Sequence, residues 1–106
     1  MTFTAEQRGV KRIFKYALET TDSQIVNMPK GAKILCIQVQ YEKPCIWALV
    51  DPEKESEPRI FEIFGTGNPV PDRDRRYIGT YQLMGGQLVF HCFEAGIAQY
   101  GKDGEG

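Results

Sequence analysis

The sequence predicts an all-β domain: a small antiparallel sandwich or partly open barrel of about seven short strands. Three observations carry this expectation. Apolar residues recur with a period of two in segment after segment, turn residues separate those segments, and no segment sustains a helical period. The one rival is AEQRGVKRIFKYALE, where Val10, Ile13, Phe14, Ala17 and Leu18 would share a helical stripe. Gly9 breaks that stripe, and its Ile and aromatic residues favour extended chain, so a strand is expected over 12–18.

The other elements follow in order. LETTDSQ is turn-rich, and QIVNM reads as a short strand ended by Pro29. Pro29-Lys30-Gly31-Ala32 signals a turn. In the next segment Leu35, Ile37, Val39 and Tyr41 alternate with Cys36, Gln38 and Gln40, as in a strand packed on one side. Glu42-Lys43-Pro44 is short enough for a hairpin, and CIWALVD returns as a strand apolar on both faces, hence central. DPEKESEP, residues 51–58, reads as a solvated, proline-bounded loop. RIFEIF places Ile60, Glu62 and Phe64 on one face and Phe61 and Ile63 on the other. YIGTYQL is a further strand in which Gly79 marks a bulge or a close approach of backbones. MGG supplies a tight turn, and QLVFHCFE is the last strand, with Leu88, Phe90 and Cys92 opposite Val89, His91 and Phe93. The expected organisation is a flexible extension over 1–10, one domain over 11–94 and a fraying tail over 95–106.

A chain of 106 residues holds one core, and 42% hydrophobic with 25% charged residues is ordinary for a globular protein. The N-terminus MTFTAEQRGV lacks an apolar signal core and no apolar run approaches membrane-spanning length, so the expected compartment is the cytoplasm. Thirteen basic and fourteen acidic residues leave a net charge of −1, which lowers the expectation of a nucleic-acid partner.

The residues that carry chemistry are few. Cys36, Cys45 and Cys92 are odd in number, contain no CxxC and sit among apolar residues, so they read as buried hydrophobes. His91 is the single histidine and alternation turns it away from Cys92, so no nucleophile–base pair and no metal site is expected. Asp72 with Asp74, and Glu53 with Glu55 and Glu57, lack the ordered oxygen set of a calcium loop. No catalytic residue and no cofactor is assigned.

One stretch stands apart: FGTGNPVPDRDRRYIGT, Phe64 to Thr80. It opens like a phosphate-binding turn, but Val70 stands where a third glycine should be and Pro69 and Pro71 remove two N–H donors. What remains is Thr66, Asn68 and three arginines, Arg73, Arg75 and Arg76. A guanidinium is a planar fork suited to phosphate or carboxylate, although Asp72 and Asp74 could neutralise two of the three. The bland alternative is a proline-stiffened connection with a salt-bridged tip.

At KRIFKYALETTDSQIVNMPKGAKILCIQVQ, PCIWALVDP, FEIFGTGNPVPD and YIGTYQLMGGQLVFHCFE the chain resembles a family of small bacteriophage and prophage proteins known as a domain of unknown function. The resemblance spans about Lys11 to Glu94 and implies a phage origin, a β-rich domain and residence in the cytoplasm of an infected bacterial host. It carries no catalytic residues. Small phage proteins often block host machinery, so it implies a binding role. The expectation is a homo-oligomer that sequesters a small anionic, nucleotide-like immune signal, in a pocket between subunits lined by Thr66, Asn68, Arg73, Arg75, Arg76, Trp47 and Tyr77. The alternative is a module that binds a host or phage protein through a strand edge or aromatic patch.

Overall fold

The computed structural model describes residues 10–99. The expected N-terminal extension up to residue 9, and the tail from residue 100 onward, lie outside the described residues. Among the described residues there are seven strands: β1 (Arg12–Ala17), β2 (Ser23–Pro29), β3 (Lys33–Gln40), β4 (Lys43–Val50), β5 (Ser56–Gly65), β6 (Arg76–Leu83) and β7 (Leu88–Ile97). They form two antiparallel sheets packed together, one in the order β1-β4-β3 and the other in the order β2-β5-β7-β6. The fold is therefore an all-β sandwich and not a closed barrel. The chain shuttles between sheets at residues 18–22, 30–32 and 51–55, and two hairpins, β3–β4 and β6–β7, stay within one sheet.

Strand position follows composition. β4 is apolar on both faces and is the central strand of its sheet. β5 and β7 are central in the other sheet. Ile46, Ala48 and Val50 of β4 face Phe61 and Ile63 of β5 and Cys92 of β7, all within 4% of full burial. Alternation places the partners of these residues on the outer faces: Trp47 and Leu49 on one sheet, Glu62, Phe64, His91 and Phe93 on the other.

Three boundaries shift by two residues or more, and one strand face differs from that expected. β5 begins at Ser56, not Arg59, because Asn27, Met28 and Pro29 of β2 pair with Pro58, Glu57 and Ser56. β7 continues to Ile97, three residues past Glu94, and Ala98 N–H donates to the Pro58 carbonyl at 2.9 Å. The β3–β4 hairpin turns on Tyr41 and Glu42, with φ of 53° and 65°, so Lys43 and Pro44 already belong to β4. This is the two-residue turn whose positive φ matches strand twist, built here without the glycine or asparagine that advertises it. Finally, a bulge between Ile34 and Cys36 breaks the expected Leu35–Ile37–Val39 face. Ile34 and Ile37 are buried, whereas Leu35 is 44% exposed.

Gly79 marks a bulge, as its position suggested, and it also admits the close approach of a side chain rather than of a backbone. The β6–β7 register shifts between Tyr77 and Gly79, and a Cβ on Gly79 would lie 2.8 Å from Ile37 Cγ2 across the sandwich. Ile37 is β-branched and buried, so its methyl cannot swing aside cheaply. Gly79→Ala is expected to lower stability by about 1–3 kcal/mol through overpacking, read as a shift in urea midpoint at unchanged m-value. A neutral result would show that the sheets separate freely at β3 and β6.

Candidate functional site

The 65–76 connection leaves β5 at Gly65 and returns as β6 at Arg76. It is not a free loop. Asn68 N–H donates to the Gly65 carbonyl at 3.0 Å, closing a turn, and Thr66 N–H donates to the Val89 carbonyl at 3.1 Å. The chain then folds back over the outer face of the four-stranded sheet, where Glu62 of β5 holds it. Arg75 Nε donates to Glu62 Oε1 at 2.8 Å and Arg73 Nη2 donates to Glu62 Oε2 at 2.5 Å. The arginines thus use Glu62 rather than the neighbouring Asp72 and Asp74. Sequence proximity favoured the aspartates, but strand β5 projects a buried carboxylate at the point where the connection crosses it.

Burial separates the two arginines. The Arg75 and Glu62 side chains are each 7% exposed, whereas the Arg73 side chain is 59% exposed. Arg75 also donates from Nη1 to the Pro71 carbonyl at 2.5 Å. Its guanidinium carbon lies 5.1 Å from the Phe64 ring centre and 5.9 Å from that of Phe93. Among the described residues the buried Nη2 has no hydrogen-bond partner, and these two aromatic faces are the electron-rich surfaces beside it. Arg75 is therefore consumed in holding the connection down. Arg73 spends one nitrogen on Glu62 and presents the rest of its fork outward.

That outward fork borders a cleft of about 470 Å³ between the connection and the β1–β2 crossover. Thr20, Asp22, Ser23, Asn68, Arg73 and Phe90 line it. The crossover is fixed in place: Ile63 N–H donates to the Asp22 carbonyl at 3.2 Å, and the hydroxyls of Thr20 and Tyr81 hydrogen-bond at 2.8 Å. Among the described residues, the side chains of Asp22, Ser23 and Asn68 make no hydrogen bond to protein, and Arg73 makes only the one to Glu62. Four polar groups of four kinds thus converge on one cleft beside an aromatic ring.

The structure divides the expected ligand residues. Asn68 and Arg73 meet in the cleft, and Arg75 braces it from behind. Arg76 borders a second, more open concavity on the other side of the connection, where it meets Arg73 and Arg75 beside Asp74 and Gly96. Thr66 turns the other way: its hydroxyl lies 2.7 Å from His91 Nε2 and 3.3 Å from the Val89 carbonyl. Tyr77 lies on the outer face of β6, its hydroxyl 2.5 Å from that of Thr80, which is 2.9 Å from His91 Nδ1. This chain is satisfied when Tyr77 donates to Thr80, Thr80 to Nδ1, Nε2–H to Thr66 and Thr66 to Val89. Trp47 is on the other sheet altogether, half-buried on its outer face with Lys15 Nζ 5.9 Å from the ring centre. Thr20, Asp22, Ser23 and Phe90 were missed. For the first three the signal was the hydroxyl-rich LETTDSQ step, which only the pairing of β2 with β5 brings beside the connection.

Cys92 points into the core, away from His91, and burial pushes its thiol up to about 12 from an ordinary 9.0, with a further push from Glu94. Burial also raises the phenols of Tyr81 and Tyr16. For such groups the folded state keeps the proton that the unfolded chain gives up. Stability is therefore undiminished below the unfolded thiol value and falls as pH rises from about 9 toward 12. The expected slope from Cys92 alone approaches about 1.4 kcal/mol per pH unit in that window. Urea titrations at stepped alkaline pH should show it, and Cys92→Ala should flatten it. An unchanged slope would place the alkaline loss elsewhere.

Among the described residues no group of three or more His, Cys, Asp and Glu side chains is arranged to hold a metal ion. No helix among them is long and apolar enough to cross a membrane. The chain matches the family model described as a domain of unknown function, DUF7352, over residues 10–100. It belongs to that family. The matched span takes in all seven strands, the cleft and the arginine connection, so the site described above lies wholly inside the family domain. No curated protein and no solved structure matches the chain.

Proposed function

We propose that the protein is a binding module that holds a small anionic, nucleotide-like ligand in the cleft between residues 20–23 and the 65–73 connection. The observation that carries this reading is the convergence of the free edge of Arg73 with Asn68, Asp22 and Ser23 on one cleft of small-molecule size. Arg73 suits a phosphate, the Asp22 carboxylate and Ser23 hydroxyl suit sugar hydroxyls, and the Phe90 ring supplies an apolar wall. Arg75 contributes by clamping Glu62, so that Arg73 is held at one nitrogen without being used up. The resemblance to small phage proteins supports sequestration of an immune signal as the use of such a cleft.

Calorimetry with cyclic dinucleotides, cyclic trinucleotides and cyclic ADP-ribose isomers tests the reading. At least one class should bind, and Arg73→Ala should weaken it by about 10- to 100-fold, the worth of one charge-assisted hydrogen bond. Because Arg73 is exposed and Glu62 keeps Arg75, the variant should stay within about 1 kcal/mol of wild-type stability. Flat titrations across the panel would remove the proposal.

A second reading is favoured by one separate observation. β1 is an edge strand with Ile13 61% and Phe14 36% exposed, preceded by Val10 at 43%. Such an edge suits strand addition by a protein partner. A pull-down that recovers a stoichiometric partner, lost in Ile13→Lys, would favour it.

A further inference from the structure

The two sheets have four edge strands, β1, β3, β2 and β6, and they are not equivalent. β3 and β6 pack against each other, with Gly79 against Ile37, and each carries a register shift in its own pairing. β1 is flanked and studded by Lys11, Arg12 and Lys15, so pairing it with a copy of itself would bring like charges together. β2 has none of these protections. Ser23–Pro29 contains no charged residue, and it pairs with β5 through seven consecutive positions without a shift. Its single proline is the last residue. Ile25, at the middle of Ser23–Asn27, is 46% exposed on the outer face. An unbulged, uncharged edge with an exposed apolar centre is a template for another strand.

We propose that β2 pairs with β2 of a second copy about a twofold axis, joining two four-stranded sheets into one of eight strands. An antiparallel twofold centred on Ile25 sets each Ile25 against the partner's Ile25 and each Ser23 against the partner's Asn27. The interface is self-complementary and places no charge opposite a like charge. The same geometry carries the partner's Met28, Pro29 and Lys30 past Thr20–Asp22, the segment that borders the cleft. The second copy then supplies an ammonium at the mouth of the cleft. This last step rests on the cleft being the ligand site; the dimer does not. Among the described residues the Lys30 ammonium pairs only with exposed Glu55, at 3.5 Å, a pair too weak to hold it back.

Light scattering and sedimentation equilibrium on the full chain test the dimer without any ligand. Twice the chain mass is expected. Ile25→Lys, which sets two ammonium groups face to face at an exposed position, should weaken dimerisation by about thirtyfold or more while far-UV circular dichroism stays unchanged. Ile13→Lys on β1 should leave the dimer intact. A monomeric wild type, or a dimer insensitive to Ile25→Lys or lost in Ile13→Lys, would overturn the proposal. Calorimetry with inorganic pyrophosphate separates the two readings. Weaker binding in Ile25→Lys, and in a dimeric Lys30→Ala, supports completion of the cleft by the partner. A dimer that binds no pyrophosphate and no nucleotide removes the ligand reading alone. Equal binding by wild type and the Ile25→Lys monomer removes the partner's contribution to the cleft.

Discussion

Arg59→Met should be the most damaging single substitution in the domain, lowering stability by about 3–5 kcal/mol. Arg59 projects from β5 to the inside of the sandwich, and its side chain is only 9% exposed. Its Nε and Nη2 both donate to the Glu94 carboxylate of β7, the latter at 3.2 Å. Its Nη1 donates to the Ala32 carbonyl at 3.0 Å and lies 3.5 Å from Glu57 Oε2. Glu57 in turn accepts the Gly31 N–H at 3.2 Å. The guanidinium thus ties β5 and β7 to the turn by which the chain crosses from one sheet to the other. The Glu94 hydrogen bond raises the Arg59 pKa above its ordinary value, so the cation is held throughout the accessible pH range. Removing it leaves a buried carboxylate and a buried carbonyl without partners, and that desolvation cost is what makes the loss large. The midpoint of thermal unfolding should fall by about 12–40 °C for a domain of this size. The double variant Arg59→Met with Glu94→Leu removes both charges and should recover much of the loss. If the single variant unfolds within about 1 kcal/mol of wild type, the cluster is not what joins the sheets at that end.

Arg75→Ala comes second, and its contrast with Arg73→Ala is more informative than either alone. Both arginines contact the same carboxylate, at 2.8 and 2.5 Å. Distance would rank them equal. Exposure does not, since Arg75 is 7% exposed and Arg73 59%. Losing Arg75 removes the buried partner of a buried Glu62, the donor to Pro71 and the contacts with Phe64 and Phe93. About 3 kcal/mol should go with it, against less than about 1 kcal/mol for Arg73→Ala. The connection should also lift from the sheet, so limited proteolysis within 66–74 should speed up in Arg75→Ala and not in Arg73→Ala. Equal stability losses would mean that the solvent-facing half of the pair carries as much weight as the buried half.

The arginine connection also shows how far sequence reading reaches. Its place as a connection between two strands was legible, because proline and glycine act on their own backbone. The partner of the arginines was not legible. Asp72 and Asp74 are neighbours in the chain, whereas Glu62 is a neighbour only once β5 runs beneath the connection. Trp47 was grouped with the arginines for its chemistry, and the sheets separate it from them, whereas Tyr77 stays on their sheet, its ring against Phe93. In the same way Asp22 and Ser23 looked like turn residues until the pairing of β2 with β5 set them at the cleft.

By itself the sequence determined the strands, the faces of all but β3 and most of the turns. Period-two alternation decides which side chains of β4, β5 and β7 are buried, and composition decides which strands are central. These are local or one-dimensional properties, set by backbone sterics and by the area each segment can bury. Only the tertiary structure decided which strands pair beyond the two hairpins, that Glu62 captures Arg75, that Arg59 and Glu94 neutralise each other inside the sandwich, and that Arg73 keeps a free edge over a cleft. Each of these joins residues more than ten positions apart. Their energies depend on burial at the meeting point, which no single strand carries in its own sequence.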